Sequence, residues 1–139
     1  MNLKTLSSKA IAAAIAAGAL VLAGCASLGP STPEQAVKER AEAYWKARIA
    51  GQADKSYALT PPSYRKAFTQ EQFARQFGSG ASVTASEVTG VTCEADRCVA
   101  KVKLTAKPVI IGVKLDSIDT YLDETWVLEE GNWWRFQDL

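Results

Sequence analysis

The spacing of apolar positions along this chain changes twice. From Ala10 to Leu22 the residues are apolar or glycine without periodicity. From Pro33 to about Ala50 the spacing is helical: at about 100° per residue, Val37, Ala41, Tyr44 and Trp45 share one face. Arg48 falls in the same stripe near its C-terminal end, while Lys38, Glu39, Glu42 and Lys46 lie mostly outside it. From Ala81 onward the period is two. Ala100, Val102, Leu104 and Ala106 alternate with Lys101, Lys103, Thr105 and Lys107, which predicts a half-buried strand with a basic solvent face. Ile118, Thr120, Leu122, Glu124, Trp126 and Leu128 form one side of a second long strand.

Local signals bound these elements. Thr32 caps the first helix, Pro33 suits its first position, Gln35 completes a capping box, and Gly51 ends it. Gln52 to Leu59 reads as a short second helix carrying Tyr57. Thr60-Pro61-Pro62-Ser63 breaks it and opens another turn with Tyr64 and Phe68. Thr69-Gln70-Glu71-Gln72 repeats the capping pattern ahead of Phe73 and Phe77, and Gly78-Ser79-Gly80 closes the helical half. Val83 to Cys93 is the expected partner of the strand from Ala100. Glu129-Glu130-Gly131-Asn132 turns the chain into a last strand, Trp133 to Phe136. Pro108 and Gly112 predict a bend or bulge between the long strands. Helices followed by an antiparallel meander predict an α+β fold, with N-terminal helices packed on a curved sheet that closes into a cone.

The first apolar run has its own meaning. It spans about a dozen residues, too short for a bilayer of roughly 30 Å, and follows Lys4 and Lys9. A basic start, an apolar middle and a small-residue exit make a secretory signal. The exit, Leu22-Ala23-Gly24-Cys25, resembles the lipobox of bacterial lipoproteins. That resemblance implies cleavage after Gly24 and a lipid on Cys25. It divides the chain into a signal peptide (1–24), a lipidated cysteine and tether (25–32) and one domain (33–139). Ala26 follows the cysteine where an aspartate would signal inner-membrane retention. By resemblance to lipoprotein sorting rules, the expected location is the outer membrane, facing the periplasm.

Removing 24 of 139 residues leaves 115, enough for one small core. Lys4 and Lys9 leave with the signal, so 14 basic residues face 15 acidic ones. That balance excludes a nucleic-acid partner held through its phosphates. Export also bears on Cys93 and Cys98, which flank a predicted hairpin tip in a disulfide-permissive compartment. A structural bridge is the favoured reading over a redox pair or metal clamp. The spacing is not C-x-x-C, and the chain has no histidine to complete a zinc site.

Further residues carry a resemblance. Glu42-Ala43-Tyr44-Trp45-Lys46 with Gly51, then Tyr57 to Pro61, Tyr64 and Phe68, resemble the helical half of nuclear-transport-factor-2-like domains. Glu124 to Phe136, with its Trp-turn-Gly-x-Trp pattern, is similar to the last hairpin of that superfamily. The resemblance covers roughly Pro33 to Phe136 and implies a cone with an apolar pocket at its open end. It implies no single chemistry, because such folds host enzymes, binding domains and scaffolds.

Without histidine there is no Ser-His-Asp triad and no Cys-His pair, and no phosphate-binding glycine loop follows a strand. No catalytic residue, cofactor or metal ligand is assigned. Glu124 stands out as a carboxylate on an apolar strand face, costly there unless paired. Arg48 stands out on an apolar helix face. They are expected either to meet inside the cone as a polar floor for a ligand, or to be a structural pair or snorkel to water. A bulge near Gly112 or Ser117 would instead turn Tyr121, Asp123 and Thr125 inward. Tyr44, Trp45, Tyr57, Tyr64, Phe68, Trp126 and Trp134 complete the candidate pocket, as ligand contacts or as core. Of the adjacent Trp133 and Trp134, one is expected to face outward.

The functional expectation is a lipid-anchored envelope protein with a non-catalytic domain. Its partner is a small apolar or amphipathic ligand in the cone, or an envelope protein on the face carrying Lys101, Lys103 and Lys107. The alternative is an enzyme resembling ketosteroid isomerases, with a pocket carboxylate as base.

Overall fold

Thr32 accepts a hydrogen bond from the Gln35 amide through its side chain, and Pro33 takes the first helical position of α1, Pro33–Ile49. The computed structural model describes residues 31–77, 82–108 and 116–138. The signal and tether with Cys25, the Gly78-Ser79-Gly80 stop and the Gly112 bend lie outside them. Helix α1 ends in a Schellman motif: Gly51 N–H donates to the Arg48 carbonyl and Gln52 N–H to the Ala47 carbonyl, with Gly51 at φ +69°. No atom lies within 4 Å of where a Cβ on Gly51 would sit. Gly51→Ala therefore tests backbone strain alone, and should lower the urea-unfolding free energy by about 1 kcal/mol with an unchanged m-value.

Three short helices follow: α2 (Ala53–Tyr57), α3 (Pro62–Ala67) and α4 (Gln70–Phe77). Helix α2 is shorter than Gln52 to Leu59, because turns at Ala58 and Leu59 carry the chain toward Pro61. Thr69 and Gln72 form the full reciprocal capping box ahead of α4. Four antiparallel strands then run in the order β1-β2-β3-β4: β1 Val83–Glu94, β2 Arg97–Ala106, β3 Ile118–Glu129 and β4 Asn132–Arg135.

The bulges that curl this sheet are in β1, where the register slips at Thr84 and Thr89. Each extra threonine donates its hydroxyl to a β2 carbonyl, Thr105 and Lys101 respectively. The β2–β3 register runs without a shift, so the even-numbered side of β3 faces inward. Glu124 and Trp126 are buried, while Tyr121 and Asp123 are exposed. Cys93 and Cys98 are directly paired across the β1–β2 hairpin and joined by a disulfide. A loop this small contributes about 2 kcal/mol through the unfolded chain.

The fold is an α+β cone, with α1 lying against β1, β2 and β4. Its core joins Val37, Ala41, Tyr44 and Trp45 of α1, Tyr64 and Phe73 from the short helices, and Val88, Val102, Leu104, Trp126 and Trp133 from the sheet. The Arg135 amide bonds to the Leu59 carbonyl, tying β4 to the helical half.

Candidate functional site

Two places in this fold concentrate polar groups among apolar ones. The first is the cone interior. The Glu124 side chain is 1 % exposed, and its Oε1 accepts from Trp45 Nε1 at 2.9 Å and from Arg135 Nε at 2.8 Å. The Arg135 guanidinium also lies 4.6 Å from the Tyr44 ring centroid. The expected meeting of Glu124 with Arg48 is thus corrected. Arg48 lies one helical turn beyond Tyr44 and donates to its hydroxyl at 2.9 Å, with its guanidinium facing the Tyr44 and Trp45 rings. Arg135 wins Glu124 because β3–β4 pairing sets Arg135 opposite Trp126, two residues from the carboxylate on the same face. Chemically, the cluster clamps helix to sheet, with the carboxylate closed off from solvent.

The second place is a groove of about 320 Å³ between α3 and the segment after β4, lined by Pro61, Ser63, Tyr64, Ala67, Val127 and Phe136, with Gln137. It carries no charged side chain. Tyr64 and Gln137 are only 6 % and 4 % exposed. Among the described residues, neither Tyr64 Oη nor Gln137 Nε2 has a hydrogen-bond partner. An unsatisfied buried donor is uncommon in native proteins and calls for an explanation such as a ligand or a water. Burial, and then the neighbouring Tyr57 and Tyr44 hydroxyls, push the Tyr64 hydroxyl above its ordinary range, so it remains a donor at neutral pH.

The other candidates serve the core. Tyr44, Trp45 and Trp126 are buried in it. Tyr57 packs against Phe73 and donates to the Phe68 carbonyl at 2.6 Å. Phe68 stacks on Tyr64 at 4.8 Å. Neither adjacent tryptophan is exposed. Trp133 is buried, and Trp134 is half-buried with Arg40 and Arg65 guanidiniums against its ring. On the basic strand face Lys101 faces Asp123 at 3.9 Å and Lys103 pairs with Asp119 at 3.0 Å, while Lys107 forms no salt bridge among the described residues. Thr105 and Lys103 hydrogen bonds hold the Asp119 carboxyl below its ordinary value, and Asp119 raises Lys103. Among the described residues no three Cys, Asp or Glu side chains converge to hold a metal ion.

Sequence reasoning passed over Arg135, Gln137, Arg40 and Arg65. Only Arg135 had a readable signal, since alternation from buried Trp133 puts position 135 on the same face.

A helical layer over a curled four-stranded half-barrel matches the cone-shaped α+β fold of nuclear-transport-factor-2-like structures. A Campylobacter jejuni protein assigned as an NTF2-like transpeptidase superposes with a TM-score of 0.55 at 10 % identity, over 73 % of this chain and 98 % of its own. A SEC-C motif containing protein from Psychrobacter arcticus gives 0.57 at 10 % identity, over 75 % of this chain and 60 % of its own. TsrD from Streptomyces laurentii gives 0.52 at 18 % identity, over 70 % and 82 %. At these identities the likeness is one of fold. No family profile and no curated protein matches the chain.

Proposed function

We propose that this chain is a lipid-anchored protein of the bacterial envelope, attached through Cys25 to the outer membrane and facing the periplasm. Its cone domain binds a small amphipathic ligand without chemistry. One observation carries the binding reading: an uncharged groove lined in part by Tyr64 and Gln137, two residues whose Oη and Nε2 are buried without hydrogen-bond partners among the described residues. Both can donate. A ligand with an apolar body and a neutral oxygen acceptor, such as an ester or amide carbonyl, satisfies them and fills the apolar wall.

The enclosure of Glu124 supports the absence of catalysis. A general base must come within hydrogen-bond reach of the proton it removes. Glu124 instead bonds to Trp45 and Arg135 inside packed side chains. The ion pairs at Lys101 and Lys103 leave the protein-interaction alternative only Lys107 of that row without a salt bridge among the described residues.

Native mass spectrometry of the full chain, extracted from envelopes in mild detergent, tests the reading. A reproducible extra mass is expected. Each of Tyr64→Phe and Gln137→Leu should weaken retention about five- to tenfold, about 1 kcal/mol per hydrogen bond, with the thermal midpoint held or raised. A bare mass for the wild type at every detergent concentration, or equal retention by both variants, would reject the groove as the binding site.

A further inference from the structure

Trp134 has two cations against one ring. The guanidinium carbons of Arg40 and Arg65 lie 4.5 and 4.6 Å from its centroid. Those two distances place the charges within about 9 Å of each other, inside the Debye length of ~10 Å at 0.1 M salt. Neither arginine forms a salt bridge among the described residues. Arg65 is tied down by donating through Nη1 to the Ala58 and Thr60 carbonyls. Among the described residues Arg40 has no such tether, and its Nε is buried without an acceptor. Burial lowers its pKa, and the Arg65 charge adds to that effect. Two positive charges held together in a folded protein with no carboxylate between them leave an electrostatic debt that an anion would relieve.

The surroundings of Arg40 suit one. A polar hollow of about 370 Å³ is lined by Ser31, Glu39, Arg40, Gly131 and Asn132, with Ala36 and Trp133 behind them. Ser31 and Asn132 line the same hollow as Arg40 and carry neutral donor groups, Asn132 Nδ2 also donating to the Glu130 carbonyl, so the hollow combines a cation with the donor types that phosphoryl oxygens accept from. Glu39 is the opposing charge on the rim. Ser31 also locates the hollow in the chain. It lies six residues after Cys25, so a fully extended tether reaches only about 20 Å.

We infer that Arg40, backed by Trp134 and Arg65, forms a phosphodiester site in the Ser31–Asn132 hollow, which takes the headgroup of a membrane phospholipid and seats the domain on the bilayer surface. The phosphoryl chemistry stands on the arginine cluster alone. The membrane source rests on the lipid-anchor reading. An anionic headgroup met within the reach of the tether is bound at high effective concentration, so a weak intrinsic affinity suffices.

The test uses the full chain carrying Cys25→Ala in detergent micelles, which removes the anchor from the question. Glycerophosphoglycerol, inorganic phosphate and chloride are titrated at constant ionic strength, and binding is read by calorimetry and by the thermal midpoint. Glycerophosphoglycerol is expected to bind and raise the midpoint while chloride does neither. Arg40→Gln should abolish binding. Arg40→Lys should weaken it about tenfold by losing the fork, and Glu39→Gln should tighten it severalfold. Because Glu39→Gln predicts a gain on the exposed rim, misfolding cannot imitate that result. Equal responses to chloride and the phosphodiester, or no change in either Arg40 variant, would overturn the site. Tighter binding of inorganic phosphate than of glycerophosphoglycerol would assign the hollow to free phosphate and overturn its membrane role. Failure of the anchor itself registers separately, in fractionation of the chain with Cys25 intact.

Discussion

Glu124→Ala should lower the free energy of unfolding by about 3–5 kcal/mol, the largest loss expected from a single substitution in this chain. The carboxylate is enclosed and accepts from both Trp45 Nε1 and Arg135 Nε. Removing it leaves the Arg135 guanidinium, itself only 18 % exposed, facing Tyr44 and an empty volume. It also leaves the Trp45 indole N–H without an acceptor. The cost is that of stranding buried polar groups, so it should survive 1 M salt, unlike a surface ion pair. Replacing both charges, with Glu124→Leu and Arg135→Met together, should recover much of the loss, because a buried pair contributes little net stability over an apolar pair of similar volume. Urea denaturation of the three proteins gives the answer. A Glu124→Ala midpoint near wild type would mean that the cone interior is wet and that the carboxylate is free to act on a ligand.

Cys25→Ala should move the protein from the membrane pellet to the soluble fraction, or leave it as an uncleaved precursor. This is the largest change expected in its cellular behaviour. Each acyl CH₂ buried in the bilayer contributes about 0.8 kcal/mol, and the proposed lipidation of Cys25 would supply more than one chain, giving stable anchoring where a single chain binds only marginally. Losing the thiol loses all of them at once. Metabolic labelling with an alkyne fatty acid provides the second readout: label on the wild type and none on the variant. A wild-type chain without label, or a variant that is still cleaved and still sediments after a carbonate wash, would dismiss the anchor.

How much of the site was legible depended on what kind of fact each residue required. That Glu124 shares a face with Leu122 and Trp126 was readable from strand alternation, while the unshifted β2–β3 register decided that this face, not the one with Tyr121 and Asp123, turns inward. Its partner was not. Arg48 and Arg135 are both cations near an apolar face, and only the β3–β4 register puts Arg135 beside the carboxylate while Tyr44 draws Arg48 away. The lysine row shows the same limit. Its basic face was plain in β2, but the neutralisation of Lys101 and Lys103 depends on aspartates in β3 that arrive by cross-strand pairing. Trp134 was expected to be a coin-toss with Trp133 for exposure. Both are covered, since Arg40 and Arg65 converge from separate helices on one of them.

The groove was the least legible feature. Its lining comes from α3, β3 and the residues after β4, and the lack of partners at Tyr64 Oη and Gln137 Nε2 follows only from how those distant segments pack. The sequence by itself determined what local physics controls. It set the caps at Thr32 and Thr69, the stop at Gly51, the change from helical to alternating spacing, the hairpin joined by Cys93 and Cys98, and through them the α+β class. Each of those rests on interactions a few residues apart. The tertiary structure alone decided which cation meets Glu124, where β1 bulges to curl the sheet, how Lys101 and Lys103 are paired, and which polar atoms are left over. Those outcomes follow from register and packing between distant segments, where several residues of the right type compete and geometry selects one.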